Sequence, residues 1–384
     1  DTESAGLRLI NFNSNDILTE ADYGDLEKMS ATGDELSSSF TDIAYLGDDI
    51  VSVLDTARNR VFVYNNYGEL LTVFGGIGRK EGLFVKPTAL ECFGDNIYGY
   101  DEGCDTVYVY APTEYGKTLI SASRMFMNGN YDESLELWES VLQRNNGFTT
   151  AYISIGRSLM SMNDFEGAMK YFKLGGSQSD YSQAFSGQRT ILLKKWFLPI
   201  FVVMIIGICG VFYLLSDKRR AKKVAREKQN SGFVSVMFHP VNGYRTLLSK
   251  RHITLIFPCV LAAWFIINIA VSEYSGFCFH NKVANPLDLR VEFIATVVAG
   301  VAFVLSNWLI VTMTEGNGTL RQIATVFGFG MIPYLCGRLI YILLSNLLVI
   351  EEAAFANAPV VIGVLWSVAL IVVGLMKIHE FTIQ

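Results

Sequence analysis

The second half of this chain contains a series of long apolar segments, and these limit what the chain can fold into. A helix needs about 20 predominantly apolar residues to cross a bilayer, and Trp196–Leu215 meets this length without a charged residue. Four further runs follow, at Ile253–Val271, Phe293–Met313, Ile323–Ile350 and Pro359–Met376. Buried helices of a soluble domain rarely recur at this length with such short loops, so the sequence predicts at least five membrane spans.

Composition agrees with a membrane protein and argues against other classes. The chain is 51% hydrophobic and 18% charged, and its charged residues concentrate in the first part. The net charge is −6, and the one basic cluster adjoins a predicted span, so no nucleic-acid partner is expected. The six cysteines show no metal-binding spacing, although Cys92 and Cys104 could pair in an oxidising compartment. We expect no metal and no cofactor.

The basic residues also predict an orientation in a cell membrane. Ser216–Lys228, directly after the first predicted span, is rich in Lys and Arg, which favours the cytoplasmic side. The loop with Glu351 and Glu352 has no basic residue. The N-terminal half is therefore predicted to be extracellular. Export of that half requires a leader, so we expect a precursor that is longer than the sequence starting at Asp1.

Residues 1–116 are predicted to form blades of a β-propeller, because a four-strand pattern over Thr41–Phe74 begins again at Pro87 with an offset of 46. The turn Asp55–Arg60 (Asp-Thr-Ala-Arg-Asn-Arg) and the linker Phe74–Gly78 (Phe-Gly-Gly-Ile-Gly) resemble the NHL repeat. Two blades cannot close a ring. Either further blades precede Asp1 or lie within residues 1–40, or the propeller is incomplete.

Residues 117–195 are predicted to form tetratricopeptide-like helical repeats. A pattern of small and aromatic residues recurs at a spacing of 34, the period of that repeat. Tyr131, Trp138, Phe165 and Phe172 are the predicted aromatic core of these repeats. A helix beginning near Tyr181 is expected to run into the first span as one rod, unless Pro199 kinks it.

After the predicted basic linker at 216–231, residues 232–384 resemble the Yip (Ypt-interacting protein) membrane-domain family. The resemblance rests on several short motifs. They are Met237–Pro240 (Met-Phe-His-Pro), Ser306–Leu309 (Ser-Asn-Trp-Leu), Gly316-x-Gly318, Gly328-x-Gly330 with Pro333, and Trp366 with Gly374 and His379. The family implies five spans, a membrane-organising or adaptor role and no settled enzymatic activity. Only four spans follow the linker, so a further helix after Gln384 is expected.

The predicted spans contain few candidate functional residues. The four histidines are scattered, and we predict no catalytic residue and no enzyme. Arg338 and Asn307 are the candidate intramembrane polar residues. Arg338 either has a partner in the membrane or snorkels to the cytoplasmic surface. Gly328, Gly330 and Pro333 are the candidate helix-contact residues, because small residues let helices approach closely.

Together these patterns predict a multidomain membrane protein with β-propeller-like blades, α-helical tetratricopeptide repeats and a polytopic α-helical transmembrane bundle. Repeats of both kinds present binding surfaces rather than reactive groups. The first hypothesis is an accessory or scaffold subunit of a bacterial membrane complex. Chains of this plan resemble companions of carbohydrate ABC importers, so the expected partners are the bilayer and other membrane-protein subunits, including an ABC permease and a solute-binding protein. The alternatives are an envelope sensor and, third, a transporter.

Overall fold

The computed structural model describes residues 23–24, 38–221, 236–237, 240–241, 243–244, 256–282, 284–313 and 318–379. The chain divides into two compact units, Asp1–Ser177 and Gln178–Gln384, which we call the repeat unit and the membrane unit. Most of residues 1–40, one of the alternative places for a further blade, lies outside the described residues. So do most of the predicted basic linker, part of the Met237–Pro240 motif and the end at Gln384.

The repeat unit begins with two antiparallel sheets. The strands of the first sheet are hydrogen-bonded in the order β1 (Phe40–Gly47), β2 (Ile50–Asp55), β3 (Arg60–Tyr64) and β4 (Leu70–Gly75). The second sheet contains β5 (Pro87–Phe93), β6 (Asn96–Asp101) and β7 (Thr106–Tyr110). Strands β6 and β7 begin 46 residues after β2 and β3, as the repeat predicts. The residue 46 positions after Leu70 is Gly116, which is already helical, so the second sheet has no equivalent of β4.

Two equivalent aspartates explain why the strand pattern repeats. Asp55 accepts hydrogen bonds from the backbone N–H of Ser39 (2.8 Å) and Ala57 (3.0 Å). Asp101 accepts them from Val85 (2.7 Å) and Gly103 (2.9 Å), the residues 46 positions further on. Burial alone would raise the pKa of Asp101, but its backbone N–H donors lower it below the usual value. Each carboxylate therefore joins a turn to the start of the first strand of its own sheet.

A longer propeller would continue with a third sheet, but a helix follows the second sheet. The turn before the last strand pair of the first sheet therefore differs from its equivalent in the second sheet. The Asn59 side chain donates to the carbonyls of Phe84 (3.2 Å) and Val85 (3.0 Å), which lead into the second sheet. Its equivalent, Asp105, instead accepts from the Tyr100 hydroxyl (3.0 Å). Both Asn59 and Asp105 have positive φ, which a short polar side chain tolerates better than a bulky one. The turn in which Asp105 replaces the asparagine is thus the one that no further sheet follows.

Four helices complete the repeat unit. They are α1 (Glu114–Met127), α2 (Tyr131–Arg144), α3 (Thr149–Ser161) and α4 (Phe165–Gly175). Helices α2 and α4 begin 34 residues apart. Ser134 on α2 donates to the carbonyl of Ala122 on α1 at 2.8 Å. A Cβ at Gly156 on α3 would lie 2.6 Å from the ring of Phe172 on α4, so a small residue is needed where these helices cross. The two helix pairs therefore repeat with the predicted period.

One hydrophobic core runs through both sheets and the helices α1–α3. It contains Leu54 and Val61 from the first sheet, Leu90 from the second, and Leu119 and Trp138 from the helices. The core therefore continues across the predicted domain boundary between residues 116 and 117. Removing the sheets would expose the buried side of the helices.

An arginine on α1 also fastens the helices to both sheets. Arg124 forms ion pairs with Asp48 (3.0 Å) and Asp95 (2.6 Å), which lie in the equivalent first turns of the two sheets. It donates in addition to the carbonyl of Leu46 at 3.1 Å. The fork of the guanidinium suits such simultaneous contacts. Cys92 and Cys104 are both free thiols, so they do not form the disulfide considered from the sequence.

The membrane unit is helical. It contains α5 (Gln178–Ala221), α6 (Ile256–Tyr274), α7 (Leu289–Met313), α8 (Leu320–Gly330), α9 (Ile332–Ser345) and α10 (Ala353–His379), with a 3₁₀ turn at Ile350–Glu352. Among the described residues four segments are long and apolar enough to cross a membrane: Ile256–Tyr274, Leu289–Ile310, Leu320–Ser345 and Ile350–Ile378. The first predicted span lies within α5, which is helical through Pro199, but most side chains of that span lie outside the described residues.

Glycines allow α9 and α10 to pack backbone against backbone. A Cβ at Gly337 on α9 would collide with the Pro359 carbonyl on α10, and one at Gly363 would lie 2.7 Å from the Pro333 carbonyl. Pro333 stands just after the break between α8 and α9. The Tyr334 N–H, beside this break, donates to Ser367 Oγ on α10 at 3.0 Å. Helix α10 thus stabilises the interrupted span.

Candidate functional site

Two loops of the membrane unit, 275–288 and 346–352, meet at one end of the helices. The Asn346 side chain donates to the Tyr274 carbonyl at 2.8 Å, and the Gly276 N–H donates to Ser345 Oγ at 3.1 Å. The two loops lie at the same end because α6 and the span formed by α8 and α9 both end there, while α7 returns the chain between them. We call this end the loop end of the unit.

The first turns of α5 are attached to the same loop end. Arg189 donates to both carboxylate oxygens of Glu352, at 2.7 and 3.0 Å, and to the Leu347 carbonyl at 3.1 Å. Ser182 Oγ lies 3.3 Å from Glu351, and Gln178 donates to the Phe277 carbonyl at 2.7 Å. A bidentate Arg–carboxylate contact fixes geometry better than a single hydrogen bond. The helix that follows the repeat unit is therefore held against the membrane helices.

Hydrogen-bonded polar side chains connect the three helices α9, α6 and α7 near the loop end. Arg338 Nη2 on α9 donates to Asn268 Oδ1 on α6 at 3.1 Å. The other end of the same amide, Asn268 Nδ2, donates to Glu292 Oε2 on α7 at 3.1 Å. Arg338 precedes Ser345, the last residue of α9, by seven positions, or roughly 10 Å of helix. It lies in the half of its span nearer the loop end and has a partner inside the bundle.

These side chains border a cavity of about 430 Å³. Its wall is formed by α6, α7, α9 and the loop between α6 and α7, and it is lined by Asn268, Val271, Ser272, His280, Asn285, Pro286, Leu287, Asp288, Val291, Glu292 and Arg338. Ser272 Oγ lies 3.1 Å from His280 Nε2. Charged groups of both signs, amides and a hydroxyl therefore share one space, which suits binding of a polar group.

The predicted helix-contact residues and the second polar candidate lie elsewhere in the membrane unit. Asn307 donates to the Phe303 carbonyl of its own helix at 2.8 Å and does not line the cavity. A Cβ at Gly328 would lie 3.3 Å from Ile256, and one at Gly330 would collide with Ile371. Together with Pro333 near Gly363, these residues serve contacts between helices of the same chain.

The predicted aromatic residues of the repeats, two on α2 and two on α4, belong to the repeat unit and do not line the cavity. Trp138 and Phe172 are buried, with 1% and 0% of their surface exposed, whereas Tyr131 and Phe165 are half-buried. They fill space between helices and present no reactive arrangement. The described residues include no group of His, Cys, Asp and Glu side chains suited to a metal ion.

Sequence reasoning found Arg338 but missed Asn268, Glu292 and His280. A signal was present, because Asn268 is a polar residue inside the apolar run Ile253–Val271 and Glu292 directly precedes Phe293. Polar side chains within or beside a span are rare and usually face the bundle interior. The sequence does not show that these three side chains meet Arg338, because the contacts join different helices.

These features define a polytopic α-helical membrane protein that carries a repeat-built unit ahead of its membrane helices. Residues 234–384 match the family model described as the Yip1 domain. The matched region contains α6–α10 and the whole polar cavity. It does not include the repeat unit, so the NHL-like and tetratricopeptide-like assignments remain predictions. A comparison with curated proteins finds no match.

Proposed function

We propose that this chain is a non-enzymatic accessory or scaffold subunit of a bacterial membrane complex, in which the repeat unit binds a protein partner. The observation that carries this proposal is the attachment of α5 to the loop end through Arg189 and Glu352. The repeat unit ends at Ser177, directly before this anchored helix. A binding module is thereby joined to a helix with a fixed place in the membrane unit. The proposed complex is a carbohydrate ABC importer, with its permease and solute-binding protein as partners.

An apolar face of the second sheet supports a protein partner. The β6–β7 register pairs Tyr100 with Val107 and Tyr98 with Val109, which puts the four side chains on one face. Val107 and Val109 are each 56% exposed. Nearby Phe93 is 79% exposed. Exposed apolar clusters of this kind commonly mark interaction sites. We call Tyr98, Tyr100, Val107 and Val109 the open face.

The internal repeat indicates what would cover the open face. Forty-six residues earlier, Ser52, Leu54, Val61 and Val63 form the same face of the first sheet, and all four are buried. Leu54, Val61 and Val63 belong to the hydrophobic core, and Ser52 borders it through its contact with Cys92. The second sheet contributes Leu90 and Ile97 to this core, and Tyr108 and Tyr110 pack against it. The partner that fits the open face is accordingly a β-sheet with large apolar and tyrosine side chains, supplied by another subunit.

The proposed orientation puts the repeat unit outside the cell and the basic linker inside. We expect an impermeant maleimide to label Asn145→Cys on intact cells but not Lys223→Cys. Asn145 is exposed at the end of α2, and Lys223 belongs to the linker. Both variants should carry Cys104→Ser, because Cys104 is an exposed thiol. Equal labelling of the two sites, or labelling of Lys223→Cys alone, would contradict the orientation.

Affinity purification of the full chain in mild detergent tests the function. We expect mass spectrometry to find ABC permease and ATPase subunits in stoichiometric amounts. The double variant Val107→Asp, Val109→Asp should reduce their recovery by about tenfold or more, because it places two charges in an apolar interface. Both side chains are exposed, so the repeat unit itself should fold normally.

The matched control is Leu174→Asp, which changes a similarly exposed apolar residue on α4, 64% exposed. It should leave the recovery of the partner unchanged. If Leu174→Asp abolished recovery and the double variant did not, the docking surface would lie on the helices. Absence of importer subunits from the purified wild-type chain would exclude the proposed complex.

The anchored helix also favours a second candidate, an envelope sensor. In that case ligand binding by the repeats would alter the contacts of Arg189 with Glu352 and be transmitted through α5. Replacing Glu352 by Gln would then change signalling while leaving purification of any partner intact. A scaffold subunit should instead keep its partner and show no ligand-dependent change in this contact.

A further inference from the structure

Two opposite charges in the membrane unit are held apart rather than paired. Asn268 stands between Arg338 and Glu292, accepting from the first and donating to the second, each at 3.1 Å. Among the described residues neither Arg338 nor Glu292 forms an ion pair. Charged groups in a membrane segment are costly unless they are compensated. An ion pair between Arg338 and Glu292 would neutralise both charges. Because the Asn268 amide lies between them, each charge can still bind another partner.

Both charges border the cavity of about 430 Å³ described above. Its volume lies within the usual range for small-ligand sites, about 300–1,000 Å³. Asp288 adds a second carboxylate to the lining, although its Oδ1 already accepts from the backbone N–H of Arg290 at 2.8 Å. Ser272 and His280 add polar groups. The cavity therefore offers one guanidinium on α9 and two carboxylates at the start of α7.

We propose that this cavity binds a zwitterion of the phosphoethanolamine class. The anionic phosphate would contact Arg338, while the primary ammonium would contact Glu292 and Asp288. An anion alone would leave the Glu292 carboxylate with only its hydrogen bond from Asn268, and a cation alone would leave the Arg338 guanidinium with only its hydrogen bond to Asn268. A molecule that carries both charges compensates Arg338 on one side of Asn268 and Glu292 on the other.

The surroundings of the cavity favour a lipid headgroup over a free solute as the source of this zwitterion. Leu287 and Val291 line the cavity, and Val291 is 61% exposed on α7, a candidate membrane span. Acyl chains could follow this apolar surface while the headgroup occupies the polar space. The same chemistry is present in soluble phosphoethanolamine, so the experiment must separate the two sources.

Native mass spectrometry of the full chain in detergent provides the test. The probes are phosphatidylethanolamine, phosphatidylglycerol and soluble phosphoethanolamine, each added at matched concentrations. We expect phosphatidylethanolamine to bind more tightly than phosphatidylglycerol, which has the phosphate but no ammonium. Soluble phosphoethanolamine should bind weakly. Equal binding of the soluble zwitterion and the lipid would retain the site and assign it to a free solute.

Substitutions on each side of the bridge then test the two charges separately. Arg338→Gln and Glu292→Gln should each weaken phosphatidylethanolamine binding by about thirtyfold or more, the usual effect of removing one member of a buried charge contact. Lys282→Gln and Glu273→Gln are the matched controls. These two residues pair with each other at 2.7 Å near the loop end and do not line the cavity, so their substitution should leave binding unchanged.

Two outcomes would overturn the proposal. One is equal binding of phosphatidylglycerol and phosphatidylethanolamine with sensitivity to Arg338→Gln alone, which would show an anion site. The other is binding that neither variant weakens. If Arg338→Gln failed to fold, as judged by its thermal unfolding, Glu292→Gln would decide, because it alone distinguishes a zwitterion from an anion.

Discussion

Replacing Trp138 by alanine should lower the free energy of unfolding of the repeat unit by about 3 to 5 kcal/mol, the usual cost of deleting a buried large aromatic side chain. Trp138 is 1% exposed and belongs to the core shared by both sheets and the helices α1–α3. The cavity left by the substitution would lie where α2 meets α3, and its ring neighbour Phe148 would lose its contact. The loss should therefore spread beyond α2.

Hydrogen exchange of the full chain in detergent measures this effect. In the Trp138→Ala variant, amides in β2, β3 and α1 should exchange faster, while amides in α9 and α10 should not change. Leu174→Ala provides the control, because Leu174 is 64% exposed on α4. Trp138→Phe should cost less, since it retains an aromatic ring. If the α1 and α2 amides lost protection in Trp138→Ala while β2 and β3 kept theirs, the sheets and helices would not share one cooperative core.

The elements of the repeat unit could be predicted from sequence because each repeat encodes a local arrangement. The 46-residue offset placed strands correctly, since Asp55 and Asp101 make the same backbone contacts around their turns. The 34-residue offset placed the helices for a similar reason, because Gly156 on α3 leaves room for the ring of Phe172 on α4. The core that joins sheets to helices was not predicted, because periodicity describes one element at a time. Arg124, which bridges Asp48 and Asp95, gave no periodic signal.

The candidate site was predictable only in part, and for a similar reason. A single charge in an apolar run identified Arg338, but its partner Asn268 lies 70 residues earlier on another helix. Small residues such as Gly330 were predicted from the sequence as points of close helix contact. The sequence did not say whether the approaching helix belongs to the same chain, and the structure shows Ile371 of α10 there. Pairing between spans depends on which helices become neighbours, a property of the folded bundle.

Replacing Gly337 by leucine should separate α9 from α10 and destabilise the membrane unit by about 3 kcal/mol, at the upper end of the usual cost of overpacking. A side chain at this position would meet the backbone of Pro359 and Val360, which cannot rotate away as a flexible side chain can. The same helix pair holds Tyr334 through Ser367, so the break after Met331 would lose support. Because Arg338 directly follows Gly337, its contact with Asn268 should weaken as well.

The thermal unfolding of the purified protein in detergent measures the change, with Gly207→Leu as the matched control. Gly207 also lies in a helix of the membrane unit, but a Cβ there would meet no described atom within 4 Å. We expect Gly337→Leu to lower the unfolding temperature and Gly207→Leu to leave it nearly unchanged. Gly337→Ala should have an intermediate effect, since its single methyl group already reaches the Pro359 carbonyl. Equal unfolding temperatures for the two leucine variants would mean that α9 and α10 are not packed backbone against backbone, and the position of Arg338 at the cavity would then lose its support.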